Sequence, residues 1–390
     1  MPGEHPEPER SIRRAIEHHG PISFAEFMEL ALYGPRGFYQ EPPVGEAGHF
    51  VTSPHVHPVF GQLVGEALKG CISRLGMSEP PAVVEVGAGD GTLAEQVRRE
   101  LGEHRYVAVE RGSGARAALG ERLPGVEVAA SLEALDQHVE GVVFANELLD
   151  NLPFRWIRRD DLGNLQEVLV DVRDGRLVSF EQPLAPEDDE GREAVPQGLP
   201  PGTEAVIPDG ALHFVERLAR LLRCGYAVLV DYGAVVGAEV HGYRRQRVVA
   251  DVLVRPGTTD ITAGVDFGTL EERAEALGMR SFGTVSQRSA LLALGYGAWA
   301  ERERDRQRVA QDGRAGREAV LAWSGRNAAA SLIDPGGLGR LRWWVVATAG
   351  IDEPDWFAAA RQHDNPRLPD TGVVSATDLG DPGTEWLRDA

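Results

Sequence analysis

Short apolar segments separated by helical stretches are the feature that most limits how this chain can fold. Each segment is only a few residues long and is apolar on both sides, as in strands buried on both faces. Such strand–helix alternation is typical of a doubly wound parallel sheet, so we predict an α/β fold. The segments are AVVEV (82–86), YVAVE (106–110), VEVAA (126–130), GVVFANEL (141–148) and YAVLVDY (226–232).

The first of these segments runs into a glycine-rich turn, VVEVGAGDGTL (83–93). Glycine is needed where φ is positive or where a ligand approaches the backbone closely. A strand end that opens a helix also presents free N–H groups and the positive end of the helix dipole. A dinucleotide fingerprint would place its third glycine at position 92, which is threonine here, so the turn predicts a different ligand site. The glycines are Gly87, Gly89 and Gly91, and the acid before them is Glu85.

Glu110 closes the next predicted strand and is a candidate ligand for a ribose. A carboxylate there can accept hydrogen bonds from both ribose hydroxyls, at the crevice where α/β sheets bind ligands. The alternative interpretation is a solvated strand end. Together with Glu85, Glu110 suits a cofactor that carries a ribose and positive charge, as S-adenosylmethionine does. NAD is the rival cofactor, and the threonine at position 92 counts against it.

Charge and composition exclude several classes of protein. The 390 residues carry a net charge of −20, which argues against nonspecific nucleic-acid binding. No apolar run reaches the roughly 18 residues of a membrane span, and the polar start MPGEHPEPER lacks a secretory apolar core. Cys71 and Cys224 lie far apart, without the spacing of a metal site. We therefore expect a cytoplasmic protein that binds neither nucleic acid nor membrane.

The chain divides into three predicted regions. Residues 1–80 form a helical lead-in and a Gly/Pro-rich loop that we expect to cover the cofactor. Residues 81–350 form the α/β domain, with an insertion at about 154–210 that contains a hairpin signal at Asp174-Gly175. Residues 351–390 are polar and rich in Asp and Pro, so we expect a weakly ordered tail.

Six pieces of the chain resemble the MidA-like methyltransferases, a family that includes the mitochondrial complex I assembly factor with arginine methyltransferase activity. The first, second and fourth pieces are specific to that family, whereas the glycine turn by itself indicates only a class I methyltransferase. The resemblance implies a Rossmann-like, seven-stranded sheet with a helical lead-in and an inserted lobe near the active site. The pieces are GPISFAEFMELALYGPRGFY (20–39), GHFVTSPHVHPVFGQLVGEAL (48–68), VVEVGAGDGTL (83–93), VFANELLDNLPFRW (143–156), VLVDYG (228–233) and RPGTTDITAGVDFGTL (255–270).

The segment ANELLDNLP (145–153) follows the fourth predicted strand, at the crevice where an α/β sheet reverses its strand order. Its polar residues alone fit a helix start, with Asn146 as the cap and the acids near the helix dipole. The resemblance to the family favours a functional interpretation instead. It implies that Asn146 lines the pocket near the methyl donor, that Glu147 orients the acceptor and that Asp150 is a further catalytic candidate.

Two other segments are candidates for cofactor contacts. Thr52 and Ser53 fit a turn that starts the next helix, and the resemblance implies that this turn closes over the cofactor. Ser131 and Leu132 follow the third predicted strand, where such enzymes place a residue beside the adenine. The two histidines just after Ser53 lack a third ligand, so we predict no metal site.

Two positions on the expected substrate side depart from the family pattern, because Gln246 and Gly264 stand where the family commonly has histidine. Three functions therefore stay open. The leading prediction is S-adenosylmethionine-dependent methylation of arginine in a protein, such as a respiratory complex I subunit. The alternatives are O- or N-methylation of a small molecule, and a non-catalytic assembly factor that keeps the cofactor pocket.

Overall fold

The computed structural model describes residues 5–40, 52–77, 80–135, 138–186, 188–195, 199–233, 239–245, 247–313 and 315–364. Within them the predicted α/β class is confirmed, because helices alternate with the strands of a seven-stranded sheet. Gln246, residues 41–51 of the expected cofactor-covering loop and the tail from residue 365 lie outside these ranges. The expectations for those residues stay predictions.

The helices form a lead-in and then recur between the strands of the main sheet. The first helix ends before Gly20, where φ is positive and Pro21 follows. They are α1 (Glu7–His19), α2 (Phe24–Met28), α3 (Ser53–Val56), α4 (Val59–Leu75), α5 (Thr92–Leu101), α6 (Ser113–Arg122), α7 (Asp189–Ala194), α8 (Asp209–Leu221), α9 (Phe267–Ala276), α10 (Gln287–Ala293), α11 (Tyr296–Asp312), α12 (Gly316–Ala330) and α13 (Asp355–His363).

The strands belong to three sheets. They are β1 (Ile22–Ser23), β2 (Ala82–Val86), β3 (Tyr106–Val109), β4 (Glu127–Ala129), β5 (Val139–Asn146), β6 (Arg155–Arg159), β7 (Leu165–Arg173), β8 (Arg176–Pro183), β9 (Glu204–Ile207), β10 (Leu222–Asp231), β11 (Val240–Arg244), β12 (Arg247–Val249), β13 (Asp260–Ala263), β14 (Arg280–Ser286) and β15 (Arg342–Ala347).

The main sheet has the strand order β14-β15-β10-β5-β2-β3-β4. The strands from β4 to β10 in this order pair in parallel, and β15 pairs antiparallel with both β10 and β14. The sheet reverses its order between β2 and β5, so the carboxyl ends of these two strands flank a crevice. This is the seven-stranded arrangement expected from the resemblance.

Helices cover both faces of the main sheet, which explains why its strands are apolar throughout. Val83 of β2 belongs to a buried cluster with residues of α4 and α5. The next residue, Val84, points to the opposite face and packs with residues of α8 and α9. Successive side chains of a strand point to opposite faces, so a strand covered on both sides buries every residue.

The segment predicted as an insertion, 154–210, contains β6 to β9 and forms a second sheet. The hairpin predicted at Asp174-Gly175 is confirmed, since both residues have positive φ between β7 and β8. β1 of the lead-in pairs with β7, so the lead-in and the insertion share one sheet. A third sheet, β12-β11-β13, follows β10 in the chain.

The prediction of a weakly ordered tail after residue 350 is wrong for residues 355–363, which form α13. Trp356, Phe357 and Ala360 of this helix are buried in the same cluster as α4. The carboxylate of Asp364 then accepts hydrogen bonds from the hydroxyls of Ser286 and Ser289. The segment is polar on average, but three side chains on one helix face suffice to dock it.

Candidate active site

The glycine turn between β2 and α5 leaves one open position. Gly87, Gly89 and Gly91 have φ values of 74°, 55° and 78°. A Cβ on Gly87 would lie 3.1 Å from Leu148 Cδ1, and one on Gly91 would lie 3.3 Å from Leu123 Cδ1. A Cβ on Gly89 would meet only a backbone oxygen, at 4.0 Å. Gly89 is therefore the glycine at which a ligand can approach the backbone.

Glu110 follows β3, and the backbone of two loops holds its carboxylate. The amide of Gly89 donates to Oε2 at 2.9 Å, and the amide of Gly112 donates to Oε1 at 2.7 Å. Burial raises the pKa of Glu110, while these two amide hydrogen bonds lower it. The structure thus brings the open glycine and the predicted ribose ligand together, as the sequence led us to expect.

Glu85 of β2 has a partner inside the sheet. Its side chain is 2% exposed, and the hydroxyl of Tyr106 on β3 donates to its Oε2 at 2.7 Å. Burial raises the pKa of Glu85 to about 8, although the hydrogen bond from Tyr106 lowers it. A cofactor contact of Glu85 stays a prediction, whereas its hydrogen bond to Tyr106 is a feature of the fold.

The segment before α4 reaches both halves of the predicted site. Thr52 Oγ1 lies 2.9 Å from His55 Nδ1, and His55 Nε2 lies 3.4 Å from a carboxylate oxygen of Asp90 in the glycine turn. The backbone amide of Ser53 donates to Glu147 Oε1 at 3.2 Å. Thr52 and Ser53 therefore lie between the glycine turn and the end of β5, where a covering segment would be expected.

Glu147, directly after β5, adopts a backbone conformation that non-glycine residues rarely adopt. Its φ is 53°, and its amide donates to the carbonyl of Val230 at 2.8 Å. Its Oε1 also accepts a hydrogen bond from Asn146 Nδ2 at 2.9 Å. Burial raises the pKa of Glu147 to about 7, against the lowering effect of the hydrogen bonds from Asn146 and Ser53. Such a strained, tightly held carboxylate is characteristic of a functional position.

Asp231, the last residue of β10, positions the turn that follows Glu147. Its side chain is fully buried, and its Oδ2 accepts hydrogen bonds from the amides of Leu148, Leu149 and Asp150 at 3.0, 2.6 and 3.3 Å. Burial raises the pKa of Asp231 to about 6, while the amide hydrogen bonds lower it. The amide of Tyr232 is a fourth donor to this carboxylate. These four hydrogen bonds stabilise the ionised form of Asp231, so Asp231 ionises more readily than Asp150.

Asp260 is a site residue that the sequence analysis missed. It begins β13 and is 5% exposed, and its Oδ1 accepts hydrogen bonds from the Tyr39 hydroxyl at 2.7 Å and from Asn151 Nδ2 at 2.9 Å. Burial raises the pKa of Asp260 to about 7. The only signal in the sequence is that Asp260 and Tyr39 both stand inside pieces that resemble the family.

These acids form one group at the carboxyl edge of the main sheet, which we call the acidic cluster: Glu147, Asp150, Asp231 and Asp260. Burial raises the pKa of Asp150 well above its usual range, and the charges of the other three members raise it further. Within the described residues, no member of the acidic cluster forms an ion pair with an arginine or lysine. Carboxylates buried together in this way favour their protonated forms or a cationic neighbour.

A comparison with protein families decides between the possible cofactors. The family model of S-adenosyl-L-methionine-dependent methyltransferases matches residues 63–285, which is more than half of the chain. The chain belongs to this family. Over 310 residues this chain is 30% identical to a Drosophila melanogaster protein named protein arginine methyltransferase NDUFAF7 homolog, mitochondrial. The match covers 69% of this chain and 70% of the relative.

Other similar proteins support the same assignment. The human protein arginine methyltransferase NDUFAF7, mitochondrial, is 28% identical to this methyltransferase over 324 residues, and the match covers 73% of each chain. A crystal structure from Burkholderia thailandensis with bound S-adenosylhomocysteine superposes with a TM-score of 0.76 at 28% identity. That match covers 92% of this chain and 98% of the other.

S-adenosylmethionine is the cofactor of this methyltransferase, and the residues present fit it. The open space at Gly89 admits a ligand against the backbone, and Glu110 lies beside it as an acceptor for ribose hydroxyls. Asn146 Oδ1 is buried, with no hydrogen-bond partner among the described residues, and is free to accept from a cofactor or acceptor.

Within the described ranges, the structure gives the remaining predicted residues no direct contact that tests their roles. Ser131 and Leu132 begin the turn after β4, and Leu132 packs in the core, so their contact with adenine stays a prediction. Gly264 directly follows β13, and the next residue, Val265, donates its amide to the carbonyl of Tyr232 at 2.8 Å. The departure from the family at Gly264 thus lies near the acidic cluster.

A metal ion or a membrane span would change the chemistry of the site. In the described part of the chain, no group of three or more His, Cys, Asp or Glu side chains is arranged to hold a metal ion, and the absence of a metal stays a prediction. Nor does any helix in those ranges have both the length and the apolar character required to cross a membrane.

Proposed function

We propose that this methyltransferase transfers the methyl group of S-adenosylmethionine to the guanidinium group of an arginine in a protein. The observation that carries the proposal is the acidic cluster, whose buried carboxylates have no arginine or lysine partner among the described residues. A guanidinium group offers five N–H donors and a permanent positive charge to such carboxylates. The names of the relatives, which are protein arginine methyltransferases, agree with this substrate.

The chain's own residues have two tasks in such a reaction, to orient the acceptor nitrogen and to take up its proton. S-adenosylmethionine, when bound at the glycine turn, supplies a sulfonium methyl group. Glu147 and Asp150 orient the guanidinium nitrogen for in-line attack, and such positioning can supply roughly 7–11 kcal/mol of barrier reduction. The bound sulfonium would give up its methyl group to this nitrogen, and its sulfur would keep the electron pair of the C–S bond. The nitrogen then releases one proton, which Glu147 accepts.

The pKa of Glu147 suits this last task. A general base works best when its pKa lies near the working pH, and burial raises the pKa of Glu147 to about 7. The hydrogen bonds from Asn146 and the Ser53 amide fix its Oε1, which leaves Oε2 for the acceptor. Asn146 would support the carboxylate on one side and meet the cofactor or the acceptor through its Oδ1.

The proposal is tested with purified protein, labelled S-adenosylmethionine and a cell lysate from its own host. We expect label in a protein band, and methylarginine after acid hydrolysis of that band; a complex I subunit is the first band to inspect. Glu147→Gln serves as the inactive control, because it keeps the size of the side chain. Label in small molecules instead would support a small-molecule methyltransferase. No label, despite tight binding of S-adenosylhomocysteine, would support an assembly factor.

A further inference from the structure

Asp260 lies where three separate parts of the chain meet. Its Oδ1 accepts from Tyr39 of the lead-in and from Asn151, which follows the turn after β5. Asn151 Nδ2 also lies 3.3 Å from the carbonyl of Ile261, so one amide group fixes both the side chain and the backbone at the start of β13. Two other segments of the chain thus hold Asp260 in place, although no described arginine or lysine forms an ion pair with it.

Asp150 gives an independent indication of a ligand beside Asp260. The side chain is 8% exposed, and its Oδ1 is buried without a hydrogen-bond partner among the described residues. Buried oxygens in native proteins nearly always have a partner, so an unpaired one marks a position for a donor that the described residues do not supply. Asn151, the residue next to Asp150 in the chain, donates to Asp260 Oδ1 at 2.9 Å, so the two acids stand on neighbouring parts of the same site, and the charge of Asp260 raises the pKa of Asp150.

We propose that Asp260 and Asp150 form the charged end of the acceptor site and select a guanidinium group over a neutral group of the same shape. This inference rests on the proposed function, in which Glu147 and Asp150 orient the reacting nitrogen, and gives Asp260 a separate role in selecting the acceptor. Asp260 adds a carboxylate from a different sheet, so that two carboxylates can approach the planar group from different directions. Bidentate and charge-assisted hydrogen bonds of this kind give arginine its specificity.

The lead-in connects this charged end to the cofactor. Tyr33 and Tyr39 stack with their ring centroids 5.5 Å apart, and the Tyr33 hydroxyl donates to the carbonyl of Asn151 at 3.1 Å. A Cβ on Gly112, beside the carboxylate of Glu110, would lie only 2.0 Å from the carbonyl oxygen of Tyr39. The lead-in segment that contains Tyr39 therefore contacts both Asp260 and the loop after β3. That loop contains Glu110, the predicted acceptor for the ribose hydroxyls.

Protons compete with a cation for these carboxylates. Burial raises the pKa of Asp260 to about 7 and that of Asp150 further. A guanidinium group binds the ionised forms, so its affinity rises as the pH rises through these pKa values. The charged or titratable groups that act on Asp150 and Asp260 are Glu147, Asp231, Tyr33, Tyr39, Tyr232 and Tyr243. Glu110 and Arg111 act on Tyr33 in turn.

The test uses two probes of nearly the same size and shape, N-acetyl-L-arginine amide with its guanidinium group and N-acetyl-L-citrulline amide, whose neutral urea has a carbonyl oxygen in place of one NH2 group. Each is titrated by NMR into the full chain saturated with S-adenosylhomocysteine. We expect the native protein to prefer the arginine probe at least about tenfold and Asp260→Asn to lose most of that preference. Tyr39→Phe, which removes only the hydroxyl donor, should lose part of it. Glu239→Gln, an exposed acid beside β11, is the matched control and should change nothing.

A second readout separates binding from a merely structural role. Affinity of the native protein for the arginine probe should rise between about pH 6 and pH 8, and this rise should be weaker in Asp260→Asn. Affinity for the citrulline probe should stay flat in both. Binding of S-adenosylhomocysteine to Asp260→Asn must match the native protein, which shows that the variant is folded.

The outcomes distinguish this proposal from the proposed function. An undiminished arginine preference in Asp260→Asn overturns the role of Asp260 and leaves arginine methylation standing. Equal binding of both probes by a native protein that still methylates arginine also overturns it. A preference that disappears in Asp260→Asn, in a protein that labels no arginine, supports the cation site and rejects the proposed function.

Discussion

The backbone amide of Ser53 donates a hydrogen bond to Glu147 Oε1 at 3.2 Å, across 94 positions of sequence. The contact joins the segment before α4 to the end of β5, and Gln287 of α10 approaches the Ser53 hydroxyl from the other side at 3.5 Å. Glu147 is therefore fixed by the segment that is expected to cover the cofactor. The position of that segment and the orientation of the proposed base are thus linked by one hydrogen bond.

Glu147→Gln is expected to keep cofactor binding and to lose most methyl transfer. Glutamine retains an acceptor for the Ser53 amide, so the covering segment stays in place, but it cannot take up the proton of the guanidinium group. Calorimetry with S-adenosylhomocysteine and a labelled-methyl assay measure the two effects. Full methyl transfer by the variant would remove Glu147 from the mechanism.

Methyl transfer should increase with pH through about 7. Burial raises the pKa of Glu147 to about 7, and only the ionised form accepts a proton, so activity is lost as the pH falls below that value. The measurement is the pH dependence of kcat at saturating cofactor and acceptor. A kcat that stays constant between pH 5.5 and pH 8.5 would contradict the assignment of Glu147 as the base.

Gly89→Val should weaken cofactor binding by at least tenfold, about 1.4 kcal/mol. The new side chain enters the only open space among the three glycines of the turn, where the cofactor should contact the backbone. Valine is also strained at a φ of 55°. Gly125→Val is the control, because Gly125 has a φ of 84° and no atom within 4 Å of an added Cβ. Equal losses of affinity in both variants would mean that strain alone is responsible.

Glu85→Gln should make the folded protein less sensitive to alkaline pH. The pKa of Glu85 is raised to about 8 from an ordinary value near 4.5, so the folded state favours the protonated carboxyl group. Its contribution to the free energy of unfolding is complete below about pH 4.5 and declines as the pH rises through 8. Thermal unfolding between pH 5 and pH 9 measures the effect. If the Tm of the native protein falls no more than the Tm of the variant as the pH rises, Glu85 is not the titrating group.

Asp231→Asn should lower both stability and turnover. The carboxylate accepts from three consecutive amides of the turn after Glu147, and hydrogen bonds to a buried charge contribute about 1.5–3 kcal/mol. Asp266→Asn is the control, because Asp266 caps α9 through the amides of Gly268 and Thr269 and asparagine caps helices equally well. Denaturant unfolding and kcat are compared. A normal kcat in a destabilised Asp231→Asn variant would confine this residue to a structural role.

Much of the fold could be predicted from local patterns. The helix at Val59–Leu75, the hairpin at Asp174-Gly175 and the strands of the main sheet follow from apolar periodicity and from turn residues, which act over a few positions of sequence. The tail was the main error, because α13 owes its order to Trp356 and Phe357 packed in the core. Average polarity does not show such a docked face.

The sequence alone determined the glycine turn and the acid after the next strand, because the cofactor site is built from two short segments with fixed spacing. It also determined the family, through longer pieces of the chain outside that turn. Only the tertiary structure brought Tyr39 and Asn151 to Asp260, and the Leu148–Asp150 amides to Asp231. These contacts join segments that are more than 80 positions apart. No local pattern encodes them, because long-range packing and the burial of charge decide which carboxylates meet.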